Sequence, residues 1–139
     1  MKYALLIYSQ STPEEYADTL AATRQAAAAT EQTGTGGTAA SGPWVDYTRA
    51  LRDAGVFAGA EQLTHDETAT SFRVQNGDRV ITDGPYMETK EHLLGFYLVD
   101  VDDLDAALDW ARRMPMYPGQ TIEVRAALSG LPWQRVLTE

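Results

Sequence analysis

An α+β domain with one antiparallel sheet covered by helices on one face is predicted by three features of the sequence. Two short runs, Tyr3 to Tyr8 and Leu93 to Val101, are apolar at nearly every position, the pattern of strands covered on both sides. Three stretches combine helix-start chemistry with apolar residues at helical spacing. Asn76-Gly77 separates two strand-like runs, a strong short-range signal for a hairpin.

The length of 139 residues is that of one ordinary domain, and 1–139 reads as a single unit able to bury its own core. Cysteine is absent, which excludes disulfides, thiolate metal sites and cysteine nucleophiles. No segment reaches the roughly 20 apolar residues of a membrane helix. The N-terminal apolar run is too short for a signal peptide and reads as a first strand, so a cytoplasmic location with no membrane partner is expected. A net charge of −9, from 11 basic and 20 acidic side chains, would be repelled by phosphate and argues against nucleic acid.

The elements follow in order. Thr12 is a candidate N-cap with Pro13 at the first helical position and Glu15 completing a capping box. The helix extends to about Thr30 with a thin stripe of Tyr16, Leu20 and Ala27, so it should pack lightly. A Gly/Thr-rich stretch, Thr33 to Gly42, reads as a flexible linker, with the region near 31–42 resembling an insertion. A phosphate-cradling role is disfavoured, because a helix rather than a strand precedes it and no lysine follows. Pro43 to Ala54 forms a second helix with Trp44, Tyr47, Leu51 and Ala54 at core spacing, and Val56 to Leu63 is a weak strand. The Asn76-Gly77 turn sets a register in which Phe72 opposes Ile81 and Thr70 opposes Asp83. Phe72, Ile81 and Asp83 then share a face, with Ser71, Arg73, Val80 and Thr82 on the other. Asp102-Asp103 caps a helix through Arg113, with Leu104, Ala107, Leu108 and Ala111 as its stripe. Thr121 to Leu128 alternates as a half-exposed strand, and Trp133 is expected to pack back onto the domain or a partner. With the hairpin set aside, the order reduces to β-α-β-β-α-β, the outline of a ferredoxin-like sheet. The uncovered face of the second central strand calls for a sister subunit, so a homodimer is expected.

Three blocks carry a family likeness: Lys2 to Tyr8, Val80 to Glu91 around Asp83-Gly84-Pro85-Tyr86, and Leu94 to Leu104. Together they resemble the YCII-related proteins, in particular the DGPF subgroup, with Tyr86 in place of the motif's phenylalanine. The resemblance implies a dimeric α+β barrel and a largely uncharacterised function. Subgroup members often stand beside alternative sigma factors of the extracytoplasmic type. Some broader relatives are proposed to use a His-Asp pair with the histidine on the first helix, and this chain has none there; His65 and His92 are its two histidines.

Asp83 is the leading site candidate, as a base or ligand acceptor at the mouth of a cavity. Its competing role is to fix the turn by accepting backbone N–H groups, with Gly84 bending the chain and Pro85 fixing φ. Tyr86 and Tyr97 are candidate ligand contacts. His92, just before a buried strand, is a candidate general base, since an unperturbed imidazole titrates near pH 6.5. Arg73 lies mid-strand, where it needs solvent, a carboxylate or an anionic ligand. His65-Asp66-Glu67 reads as a loop, because three consecutive residues rarely converge on one ion; no metal and no cofactor are expected. Neither a Gly-x-Ser-x-Gly elbow nor a His-Glu-x-x-His pattern occurs, which leaves catalysis open. Three functions compete: a homodimer that binds or transforms a small molecule in a cleft near the Asp83 loop, a regulatory module linked to a sigma factor, and a structural dimer without ligand.

Overall fold

The computed structural model describes residues 1–32 and 41–139, with side chains omitted for 26–32. The expected Gly/Thr linker falls almost wholly outside the described residues. Strand β1 (Lys2–Ser9) leads to helix α1 (Pro13–Gln32) and then α2 (Pro43–Asp53). Strands β2 (Phe57–Gln62), β3 (Thr70–Gln75), β4 (Asp78–Asp83) and β5 (His92–Asp100) follow. Helix α3 (Leu104–Arg112) and strand β6 (Gln120–Ala126) complete the sheet. Short 3-10 segments cover Asp66–Thr68 and Pro132–Thr138.

Helix starts obey the local chemistry. The N–H of Glu15 donates to Thr12 Oγ1 at 3.2 Å, and Glu15 Oε1 accepts from the Thr12 N–H at 3.4 Å, a reciprocal cap. Asp103 caps α3 by accepting from the Ala106 N–H at 2.8 Å. In the hairpin Asn76 and Gly77 both have positive φ, 51° and 82°, the primed-turn geometry that matches strand twist. Its register pairs Phe72 with Ile81 and Thr70 with Asp83, as the turn predicts.

The main sheet runs β2-β5-β1-β6, with every neighbouring pair antiparallel. This is a ferredoxin-like arrangement: β1 connects to β2, and β5 to β6, by helical crossovers between parallel strands. The hairpin β3–β4 is a separate two-stranded sheet. Odd-numbered residues of β1 face the helices. Tyr3, Leu5, Val99 and Val101 form the core with Tyr47 and Leu51 of α2, Ala107 and Ala111 of α3, and Met114. Leu5, Leu51 and Val99 are wholly buried. The opposite face carries Ala4, Leu6, Tyr8, Phe96 and Leu98, all half-buried, with no described helix laid across it.

One expectation about packing needs correction, and a second is narrowed. Leu104 is exposed, and Ala107, Ala111 and the half-buried Trp110 make the contact instead. Of the two places expected for Trp133, its own domain or a partner, its 62% exposure argues against the first. The Phe72/Ile81 face is open, with Phe72 at 55% and Ile81 at 70% exposure.

Candidate functional site

Light packing of α1 has a consequence. The helix touches the sheet mainly through Tyr16, which is buried, and the half-buried Leu20, while Thr19 and Thr23 replace larger apolar groups. A cavity of about 490 Å³ remains between α1 and the sheet, within the range of small-molecule sites. Its floor is built from Ile7, Ser9, Gly95, Tyr97, Ala60 and Gln62. Trp44 of α2 and the Tyr117-Pro118 loop close its sides. Gly95 is required there: a Cβ would lie 2.9 Å from the Glu61 carbonyl oxygen.

The polar groups of this lining largely satisfy one another. Tyr16 donates its hydroxyl to the Leu63 carbonyl at 2.5 Å and accepts from Gln62 Nε2 at 3.1 Å. Ser9 and Ser11 share a hydroxyl–hydroxyl bond of 2.7 Å. Thr19 and Thr23 donate back to the Glu15 and Thr19 carbonyls of their own helix, at 3.0 and 2.9 Å. Gln120 accepts from the Tyr117 N–H. The charged residues in the lining are Glu15 and Glu61, with no lysine or arginine among the described lining residues. The Glu61 carboxylate makes no hydrogen bond among the described residues. The acceptor capacity left to the cavity is therefore the Glu61 carboxylate and the Glu15 oxygen not engaged by the Thr12 N–H, beside aromatic rings.

Tyr97, expected as a ligand contact, does line the cavity. Its ring stacks on Trp44, with centroids 6.0 Å apart and 14° between planes, and meets Tyr47 edge-on at 5.3 Å. Thr48 Oγ1 donates to the Trp44 carbonyl at 2.7 Å, so Tyr97 is the donor in its own 2.7 Å contact with Thr48. Tyr97 thus offers the cavity a ring held in place by its hydroxyl. Tyr47 donates to the Trp110 carbonyl at 2.9 Å. Burial, followed by the neighbouring Tyr97, pushes the Tyr47 hydroxyl well above the usual tyrosine range, with Arg113 opposing.

The other expected residues lie outside this lining. Arg73, Asp83 and Tyr86 are exposed on or beside the hairpin, with Tyr86 at 72%. The predicted role of the Asp83 carboxylate as turn-fixer is replaced by its neighbours: the Gly84 N–H donates to the Ala69 carbonyl and Ser71 Oγ donates to the Gly84 carbonyl, both at 2.6 Å. The Asp83 carboxylate makes no hydrogen bond among the described residues.

His92 joins a different group. Its Nδ1 is 2.8 Å from Asp66 Oδ2, and its ring is 4.5 Å from that of His65. His65 is buried, caps the Asp66–Thr68 turn, and holds the Ser11 carbonyl through Nε2 at 3.1 Å. The group therefore sits just behind the cavity wall at Ser11. Sequence reasoning weighed His65-Asp66-Glu67 as a local triplet. The partner that matters, His92, is 26 residues further on. A cleft between the sheet and the helices was expected, but near the Asp83 loop; most of its lining was missed, although the small polar residues on the inward side of α1 were its trace.

The sequence pattern of the YCII-related domain matches residues 1–129. An uncharacterized protein of Rhizobium meliloti (strain 1021) is similar at 45% identity over 60 residues, 43% of this chain and 48% of that protein. The chain thus spans about half the length of that curated relative. The family match takes in every strand of the main sheet and every described element around the cavity, and on that basis the chain belongs to the YCII-related domain family.

Proposed function

We propose that this chain is a homodimeric small-molecule-binding domain whose ligand occupies the cavity between α1 and the sheet. The observation that carries the reading is the cavity's chemistry: an aromatic wall of Tyr16, Trp44 and Tyr97, hydroxyls of Tyr16, Tyr97, Ser9 and Ser11 engaged within the protein, and two carboxylates, Glu61 with no partner among the described residues and Glu15 with one long bond from the Thr12 N–H. Such a lining favours a flat apolar or aromatic body bearing a positive charge or hydrogen-bond donors. It disfavours carboxylate and phosphate ligands, which would meet like charge. The dimer is supported by the uncovered sheet face at Leu6, Tyr8, Phe96 and Leu98 and by the open apolar face of the hairpin. The Asp83-Gly84-Pro85-Tyr86 loop, which carries the likeness to the DGPF subgroup, belongs to that outer surface in this reading.

The test pairs ligands of one shape and opposite charge. Tyramine and 3-(4-hydroxyphenyl)propionate serve as probes in thermal unfolding of the full chain. The amine is expected to raise Tm in a concentration-dependent way, the acid is not, and Ala60→Phe, which fills the floor, should abolish the shift. Equal response to both probes, or a shift that survives Ala60→Phe, rejects the cavity as the site. A monomer by light scattering at micromolar concentration rejects the dimer.

A further inference from the structure

Three side chains from two separate segments converge behind the cavity wall. His65 and Asp66 come from the start of a 3-10 turn and His92 from the first position of β5, so each is anchored by regular structure. Side-chain exposures are 7% for His65, 25% for Asp66 and 20% for His92. Each offers one ligand atom, and these three atoms lie within 4.8 Å of one another.

The hydrogen bonds fix the tautomer of His65. A carbonyl oxygen only accepts, so Nε2, 3.1 Å from the Ser11 carbonyl, carries the proton. Nδ1 of the neutral ring then presents a lone pair, to which the Glu67 N–H donates over a long 3.2 Å. Asp66 Oδ1 lies 3.1 Å from that same Nδ1. Two lone-pair atoms, one of them anionic, therefore face each other at hydrogen-bond distance. Asp66 turns its second oxygen to His92 Nδ1 at 2.8 Å.

We infer that His65, Asp66 and His92 form a binding site for a divalent transition-metal ion. A cation held by the two Nδ1 atoms and the carboxylate turns the opposed lone pairs into a shared ligand set. The Ser11 carbonyl on the far nitrogen is the kind of outer partner that fixes the tautomer and orientation of a metal-binding histidine. Two imidazoles and one carboxylate suit zinc and its neighbours, whereas magnesium and calcium prefer oxygen donors throughout. Water completes the coordination. The bound ion would tie the 3-10 turn and β5 to Ser11, and so brace one wall of the cavity. The site does not depend on what the cavity binds.

The test uses the full chain, stripped with chelator and titrated with Zn²⁺ by calorimetry and with Co²⁺ by visible absorption. One equivalent per chain is expected, with a rise in Tm on Zn²⁺ and none on Mg²⁺ at the same concentration. His92→Gln and Asp66→Asn should each weaken Zn²⁺ binding tenfold or more. Should either variant fail to fold by circular dichroism, the other carries the comparison. The Co²⁺ spectrum of the unaltered chain decides independently, since imidazole ligation changes it and loose binding to surface carboxylates does not. Absence of saturable uptake overturns the inference and leaves a proton between His65 and Asp66. Uptake undiminished in a folded variant overturns it equally, by placing the ion elsewhere.

Discussion

The four-stranded sheet and the β3–β4 hairpin are built from the same kinds of residue and end in opposite states. In the sheet, Leu5 and Val99 are wholly buried against Leu51. In the hairpin, Phe72, Val74 and Ile81 share one face and are 55%, 67% and 70% exposed. Apolar alternation makes a strand in both places, but only a second layer makes a core. The hairpin owes its form to a two-residue turn and six paired positions; the sheet owes its form to helices that cover it. One region has a face covered within the chain, and the other leaves its apolar face in solvent.

Substitutions can break that contrast, and the largest effect is expected in the sheet. Leu51→Ala should cost about 2–5 kcal/mol of global stability, read by denaturant unfolding, because it opens a cavity among wholly buried neighbours. A loss below about 1 kcal/mol would mean that the layer is looser than its burial implies.

A smaller effect is expected at Tyr47, and it carries a pH signature. Its hydroxyl titrates above the usual tyrosine value near 10 when folded, so the neutral form is favoured by folding. That contribution is fully present below about pH 10 and is lost as pH rises toward the folded value. Tyr47→Phe should cost about 1 kcal/mol at neutral pH through the lost bond to the Trp110 carbonyl, and should flatten the alkaline decline in Tm. An unchanged alkaline limb would assign the decline to other groups.

The smallest effect on the chain's own stability is expected in the hairpin. Ile81→Ser should change it by no more than about 0.5 kcal/mol, since the side chain is already in water. In the proposed dimer its effect should appear instead in association, as a shift toward monomer in light scattering. A large loss of unfolding stability at a concentration where the chain is monomeric would show that the hairpin face is covered within one chain after all.

The sheet, its helices and the hairpin register were legible in the sequence because each rests on local chemistry. The Thr12/Glu15 box, the Asp103 cap and the Asn76-Gly77 turn act within a few residues, and hydrogen bonds confirm the first two directly. The candidate sites were less legible. Tyr97 was identified as a ligand contact and lines the cavity, but Arg73, Asp83 and Tyr86 stand apart from it. Asp83-Gly84-Pro85-Tyr86 drew notice because its residues bend the chain, and bending is a local property that does not report a cavity.

The sequence by itself determined the element order, the ferredoxin-like outline and the register of the hairpin, all set by periodicity, caps and turn residues acting over short spans. Tertiary structure alone decided where the empty volume lies and which side chains meet. The cavity exists because α1 bears on the sheet through few large residues, a property of the gap between two surfaces. His92 meets His65 and Asp66 because β5 begins beside the end of β1, opposite Ser9, a pairing fixed by the sheet. Contacts across 26 positions depend on how the chain returns on itself, and no local pattern of residue types records that path.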